Sequence, residues 1–438
     1  MITRDYHRKD IHPDELQDLK EIADVGISDL SLEDCPNLLV FPDSFESYDR
    51  DFGKKVICNI INEGRELYTN SIVGFVGRNR THLSIHSRFA KDDEKDYFLH
   101  YMLQRVASIN LMNLHHSMDE DSVFDFLIYL FPSYLKRAVS QGIYKKYISK
   151  RYNDANIRGT IDITRHIRNN EPFNGKVAYT TREYNYDNDV TQLIRHTIEF
   201  ISRKSGGNEI LNIDTDTHQA VSQIMGVTPS YDSSERLSII NKNLRPIAHP
   251  YYNEYTSLQR LCLQILRHEE LKYGHEENEI YGILIDAAWL WEEYLAVLLK
   301  DKYNHYLKNT GKRFHLFKPN KQQIIPDFLS LDKKIVADAK YIPLNEKNCF
   351  DEDSSNATAI YYKTITYMYR FSSDRAYLLY PHPDKEILPL KYEIITENEG
   401  VQGSSITMLG LRIPSKCSNY NDFLNRIREE ETLFCNQL

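Results

Sequence analysis

The sequence predicts a multidomain protein that mixes α/β and α+β organisation, and three observations predict it. At 438 residues the chain is about three times an ordinary domain of ~100–150 residues. Short alternating apolar stretches open it, and helical spacing dominates its middle. Towards the carboxy terminus, helix, paired strands, helix and strand follow one another, which is an α/β order. The expected division is a β-containing amino-terminal domain over 1–130, a mostly helical basic region over 131–274, an α/β domain over 275–415 and a closing helix over 416–438.

Each element has a local reason. Residues 71–77 and 81–86 alternate apolar and polar positions around a turn-rich break, a β-hairpin pattern. Over 96–114, Phe98, Leu99, Met102, Leu103, Val106 and Ile109 recur at helical spacing after acidic residues suited to a helix start. Residues 190–204 read as a helix that ends at Ser205-Gly206-Gly207-Asn208, and further helical segments run to about 272. Residues 281–300 are apolar nearly all round and are expected to form one buried helix. Strands are expected over 323–330, 334–341, 376–380, 388–395 and 405–413, with helices over 359–370 and 421–434. No fixed-period repeat stands out.

Composition excludes several classes. Hydrophobic residues make up 41% and charged residues 27%, ordinary globular usage, and no apolar run reaches the ~18 residues of a membrane span. The opening residues continue into charge without the apolar stretch of a secretory signal, so the chain is expected in the cytoplasm and away from membranes. The 6 cysteines are scattered without a Cys-x-x-Cys pair, which argues against a disulfide framework or a zinc ribbon.

The formal net charge of −9 means that nucleic-acid binding must come from local patches. One such patch spans 136–168, where nine Lys or Arg, including Lys145, Lys146, Lys150, Arg151 and Arg158, stand against two Asp. Either this is a helix with a solvated basic face or a surface that contacts phosphates by displacing counterions. A second lies at 308–321, where Lys308, Lys312, Arg313, Lys318 and Lys321 occur with no acid.

The chemistry concentrates in Ile324-Ile325-Pro326-Asp327 and Asp338-Ala339-Lys340. A turn at Asp332-Lys333 places Asp327 directly opposite Asp338, and like charges so paired are destabilising unless neutralised. A divalent cation neutralises them, and hard oxygen ligands suit Mg²⁺, with Mn²⁺ as the alternative ion. Lys340 projects on the same face as Asp338 and can orient a water or steady phosphate charge. The plain alternative is a salt-bridged hairpin in which Lys340 merely neutralises the two acids, but apolar flanks on both strands (Ile324, Phe328, Leu329; Ile335, Val336, Ala337) argue for burial. Glu292, with Glu293 as fallback, completes the metal shell if its helix packs on the hairpin; otherwise it is a helix-surface charge. Phosphodiester hydrolysis is the reaction class these residues imply.

The pattern resembles a PD-(D/E)xK restriction-endonuclease-like core, and the chain is similar to McrC-like subunits of the McrBC modification-dependent restriction systems. The likeness rests on Val73-Gly74-Phe75-Val76-Gly77 with Leu83 to Arg88, on Arg158-Gly159-Thr160-Ile161-Asp162 leading to Arg182-Glu183-Tyr184 and Asp187, and on Asp286, Leu290 to Tyr294, Pro326-Asp327, Asp338 to Tyr341 and Leu378 to Pro381. The resemblance implies a DNA endonuclease subunit that works with a McrB-like AAA+ GTPase. That partner recognises DNA carrying 5-methylcytosine, and GTP is bound by the partner and not by this chain. The amino-terminal part is implied to engage the motor or DNA. Asp327, Asp338, the Ala339 backbone carbonyl and Glu292 are implied as metal ligands and Lys340 as the catalytic lysine.

The chain departs from the family pattern at Ser87-Arg88, at Thr191 where asparagine is expected, and at Lys363 where many such nucleases carry glutamine; Lys363 contacts phosphate or lies on a solvated helix. The absence of a G-x-x-x-x-G-K-[ST] loop agrees with nucleotide hydrolysis by a partner. A double-strand cut needs a second copy of the chain. Two rivals stay open: a non-catalytic adaptor that binds DNA and motor, and a free-standing repair or junction nuclease.

Overall fold

The computed structural model describes residues 1–26, 37–41, 55–79, 81–90, 96–106, 122–204, 206–267, 280–306, 314–342, 355–383, 389–395 and 403–438. The chain divides into two compact units, one formed by 1–108, 115–123 and 269–438, the other by 109–114 and 124–268. Among the described residues there are twelve α-helices and several sheets, so the architecture is mixed α/β. No helix among them is long and apolar enough to cross a membrane.

In the first unit, a five-stranded sheet runs in the order Ile2–Arg4, Thr81–His86, Ile72–Arg78, Ile280–Asp286, Asn37–Phe41. The hairpin of Ile72–Arg78 and Thr81–His86 forms as expected. The single helix expected over 281–300 does not: Ile280–Asp286 is a strand, antiparallel to Ile72–Arg78 and parallel to Asn37–Phe41, and only Ala287–Leu299 is helical. A strand covered on both faces is apolar without alternation and cannot be told from a buried helix by period. Gly74 and Gly282 permit this pairing. Each has positive φ, and a Cβ on either would run into the backbone of the other's strand, which only glycine avoids. Asp286 ends the strand and caps the helix, its side chain accepting the Ala288 N–H at 3.0 Å.

The same unit contains a six-stranded sheet in the order Tyr303–His305, Phe328–Ser330, Ile335–Ala339, Arg375–Pro383, Ser405–Ile413, Leu390–Glu393. Its centre is parallel, Ile335–Ala339 beside Arg375–Pro383 beside Ser405–Ile413, and the helix Ser355–Phe371 connects the first two. The strand expected over 323–330 splits. Lys321–Ile324 pairs with Phe314–Phe317 in a separate two-stranded sheet, whereas Phe328–Ser330 joins the large one. Pro326, which lacks an N–H, falls at the break. Trp291, fully buried, fastens the helix Ala287–Leu299 to the large sheet by donating its Nε1–H to the Leu379 carbonyl at 3.1 Å.

The second unit contains the helices Asp189–Ser202, Thr215–Val227 and Glu254–Leu266, but it is not helical throughout. Part of the basic run, Lys146, Lys150 and Arg151, lies on a three-stranded sheet, with Lys146–Asp154 antiparallel to Val177–Asn185 and the short Thr160–Ile161 on the other side. Its faces are mostly solvated, so no apolar period marks these strands in the sequence.

Cys58, Cys262, Cys417 and Cys435 are free thiols; Cys35 and Cys349 lie outside the described residues.

Candidate active site

The hairpin that carries the acids pairs Phe328 with Ala337 and Leu329 with Val336, all four fully buried. Its turn is closed by the Lys333 N–H on the Ser330 carbonyl at 2.9 Å and by Asp332 accepting the Lys334 N–H at 3.0 Å. Extended by one residue, this register sets Asp327 against Asp338. The Asp327 Oδ2 accepts the Ala339 N–H at 2.8 Å, so its carboxyl is held against the strand that carries Asp338.

Asp338 is 1% exposed, and two ammonium groups hold it. Lys340 Nζ pairs with its Oδ2, while Lys363 Nζ, from the helix Ser355–Phe371, lies 3.3 Å from its Oδ1. Burial raises the Asp338 carboxyl, but Lys340 and Lys363 outweigh it and hold the group below the usual carboxylate range. Asp327 goes the other way: burial first, then the charges of Asp338 and Glu292, push it well up. The two carboxyls are thus driven apart, Asp327 up and Asp338 down, as befits adjacent buried acids of which one is paired with two ammonium groups. Burial pulls the Lys363 ammonium down, but the two carboxylates more than offset it and stabilise its charge.

Glu292 lies on the helix Ala287–Leu299 next to the anchoring Trp291. Its Oε1 is 2.9 Å from His305 Nε2, and its charge reaches Asp327. Burial raises the neighbouring Glu293 carboxyl. His305 belongs to no recognisable spacing in the sequence; only the pairing of Tyr303–His305 with Phe328–Ser330 brings it to this site.

Among the described residues, no three His, Cys, Asp or Glu side chains already form a closed metal-binding group. Mg²⁺ does not require one, since it keeps several waters and takes one or two carboxylates. The donors present fit such an ion: two neighbouring buried carboxyl groups, with the Ala339 carbonyl beside them, itself 3.3 Å from Lys340 Nζ.

The basic candidates are spread more widely. In the second unit, Lys145 sits over the rings of Tyr186 and Tyr184, Lys146 pairs with Asp189 at 2.7 Å, Lys150 with Glu183 at 3.5 Å, and Arg158 packs over Tyr152. Arg151 is exposed. In the first unit, Lys318 is exposed after the strand Phe314–Phe317. Lys312 and Arg313 lie outside the described residues. Ser87-Arg88, a departure from the family pattern, is held inside the first unit: Ser87 Oγ donates to Asp96 at 2.7 Å, and Arg88 pairs with Asp5 at 2.7 Å and stacks 4.3 Å over Tyr341, the residue after Lys340.

A six-stranded mixed sheet with two acids and a lysine on one hairpin defines a mixed α/β protein with a buried acid–lysine cluster. Comparison with known families narrows this: the sequence model described as "McrBC 5-methylcytosine restriction system component" matches residues 67–381. The chain belongs to this McrBC family. Two similar solved chains come from Thermococcus gammatolerans. One is from a half-complex of a tetradecameric assembly of McrB AAA+ hexamers with bound McrC, 14% identical over 99% of each chain, with a TM-score of 0.41. The other is from the cryo-EM structure of the McrBC complex, 15% identical over 69% of this chain and 89% of that one, with a TM-score of 0.30. Among curated proteins, none matches.

Proposed function

We propose that the chain is the Mg²⁺-dependent DNA endonuclease subunit of a McrBC-type restriction system, with a PD-(D/E)xK nuclease core over 275–415. The observation that carries this reading is the Asp327–Asp338 pair with Lys340 on a buried hairpin, in a chain that belongs to the McrBC family. Asp327, Asp338 and the Ala339 carbonyl would hold the ion, with Glu292 beside them. When bound, Mg²⁺ polarises a phosphoryl oxygen and acidifies a water. Asp327 would hold the ion in its carboxylate form, and Lys340, paired with Asp338, would steady negative charge on the phosphate. The fully buried Phe328, Leu329, Val336 and Ala337 back the acids with an apolar wall that strengthens each charge interaction. Exposed basic residues such as Lys318 and Arg151 supply phosphate contacts. Nucleotide hydrolysis and recognition of 5-methylcytosine are assigned to an AAA+ GTPase partner, and a double-strand cut to two copies of this chain.

One observation favours a second reading. Lys340 and Lys363 already neutralise Asp338, so the hairpin is electrostatically tolerable without an ion, as in a non-catalytic adaptor. Plasmid cleavage with the co-expressed motor, GTP and Mg²⁺, on cytosine-methylated and unmethylated DNA, decides between them. Cleavage of methylated DNA that is lost in Asp338→Ala is expected. Stable complex formation and stimulated GTP hydrolysis with no cleavage under any condition would establish the adaptor.

A further inference from the structure

Two adjacent acids, Glu292 and Glu293, stand on the helix beside the Asp327–Asp338 pair, and successive helical residues point about 100° apart. Only one of them can serve the pair. The edge strand Tyr303–His305 distinguishes them. Its register sets His305 against Phe328, one residue after Asp327, and the imidazole stacks on the Phe328 ring at 5.1 Å and 26°. The next residue is tied to the same place, because the Tyr306 N–H donates to the Asp327 carbonyl at 3.3 Å. A ring so held has little freedom to turn. Its Nε2–H donates to Glu292 Oε1 at 2.9 Å, with the two side chains 13% and 25% exposed.

We propose that His305 is a positioning residue that fastens Glu292, and not Glu293, as the acid facing the Asp327–Asp338 pair when a divalent cation binds. The inference rests on the metal-dependent nuclease reading above. One Glu292 oxygen is spent on the imidazole, and the other is left to approach an ion or one of its waters. A carboxylate oriented by a hydrogen bond from outside the coordination sphere is the usual support of a metal site. Glu293 is placed differently: burial raises its carboxyl, the charge of His305 only partly offsets this, and among the described residues the hydrogen bond of His305 goes to Glu292.

Mn²⁺ binding to the full chain without DNA, followed by the electron paramagnetic resonance of free Mn²⁺, tests this apart from catalysis. His305→Ala is expected to weaken binding ~10- to 100-fold, and His305→Gln, whose amide N–H can replace the imidazole donor, to recover most of the loss. Glu292→Gln should weaken binding to a similar extent, the double variant with His305→Ala should be no worse than Glu292→Gln alone, and Glu293→Gln should bind as the wild type does. Wild-type binding that is lost in Asp338→Asn but unchanged in His305→Ala would overturn the inference alone, as would losses in His305→Ala and Glu292→Gln that multiply. Absence of Mn²⁺ binding by the wild type would overturn the metal reading and this inference with it. If His305→Ala fails to fold, His305→Gln and the glutamate variants still decide.

Discussion

Lys363 Nζ lies 3.3 Å from Asp338 Oδ1 while Lys340 occupies the other oxygen of the same carboxylate. One ammonium comes from the hairpin strand and the other from the crossover helix, so a single buried acid ties the two elements together. Lys340, 17% exposed, is enclosed; Lys363, 46% exposed, reaches the pair from solvent. The two lysines are therefore unequal. Lys340→Ala is expected to reduce DNA cleavage by ~100- to 1,000-fold, the scale of losing one donor that stabilises transition-state charge, and Lys363→Ala by about tenfold. Initial rates on supercoiled plasmid with the motor present measure both.

Asp327 can bind a divalent cation only as the carboxylate. Its carboxyl is raised by burial and by Asp338, so the protonated form persists above the ordinary carboxylate range, and divalent-cation affinity should fall as pH drops through that raised value. Calorimetric titration with Mn²⁺ in buffers of different ionisation heat should detect a released proton. Asp327→Asn should abolish that release.

Asp5, buried against Arg88, titrates at about 6 because burial outweighs the ion pair. A carboxyl raised above its unfolded value of roughly 3.9 contributes stability that is complete below that value and is lost as pH rises through about 6. Relative to Asp5→Asn, the wild type should lose up to about 3 kcal/mol between those limits. Urea unfolding at a series of pH values measures the difference curve, which should be flat above and below this window.

Trp291 links stability to the site. Trp291→Phe removes the Nε1–H that meets the Leu379 carbonyl and leaves space in a fully buried position, at an expected cost of about 1–3 kcal/mol. Because the next residue on the helix is Glu292, cleavage should fall about tenfold as well. Thermal melts and plasmid cleavage on the same preparation separate a folded chain with slowed cleavage from an unfolded one.

The acid hairpin was legible because its information is local. A turn at Asp332-Lys333 and period-two alternation settle which residues face each other, and the observed pairing of Phe328 with Ala337 has that register. The basic run is less legible: Lys146 to Arg151 lie on a strand, whereas Arg165 and Arg168 lie on the helix Ile163–Asn170. Strands solvated on both faces carry no apolar period, and only the pairing of Lys146–Asp154 with Val177–Asn185 reveals them.

By itself, then, the sequence determined the mixed α/β class, the amino-terminal hairpin, the Asp327, Asp338 and Lys340 constellation and the family likeness, all carried by neighbours in the chain. Tertiary structure alone decided that Ile280–Asp286 pairs with Ile72–Arg78, some two hundred residues earlier in the chain, that Lys363 reaches Asp338, and that His305 meets Glu292. These contacts join segments whose local patterns are indifferent to one another. Burial of apolar strands on both faces and pairing of charges inside the resulting core bring them together, and both depend on the whole fold.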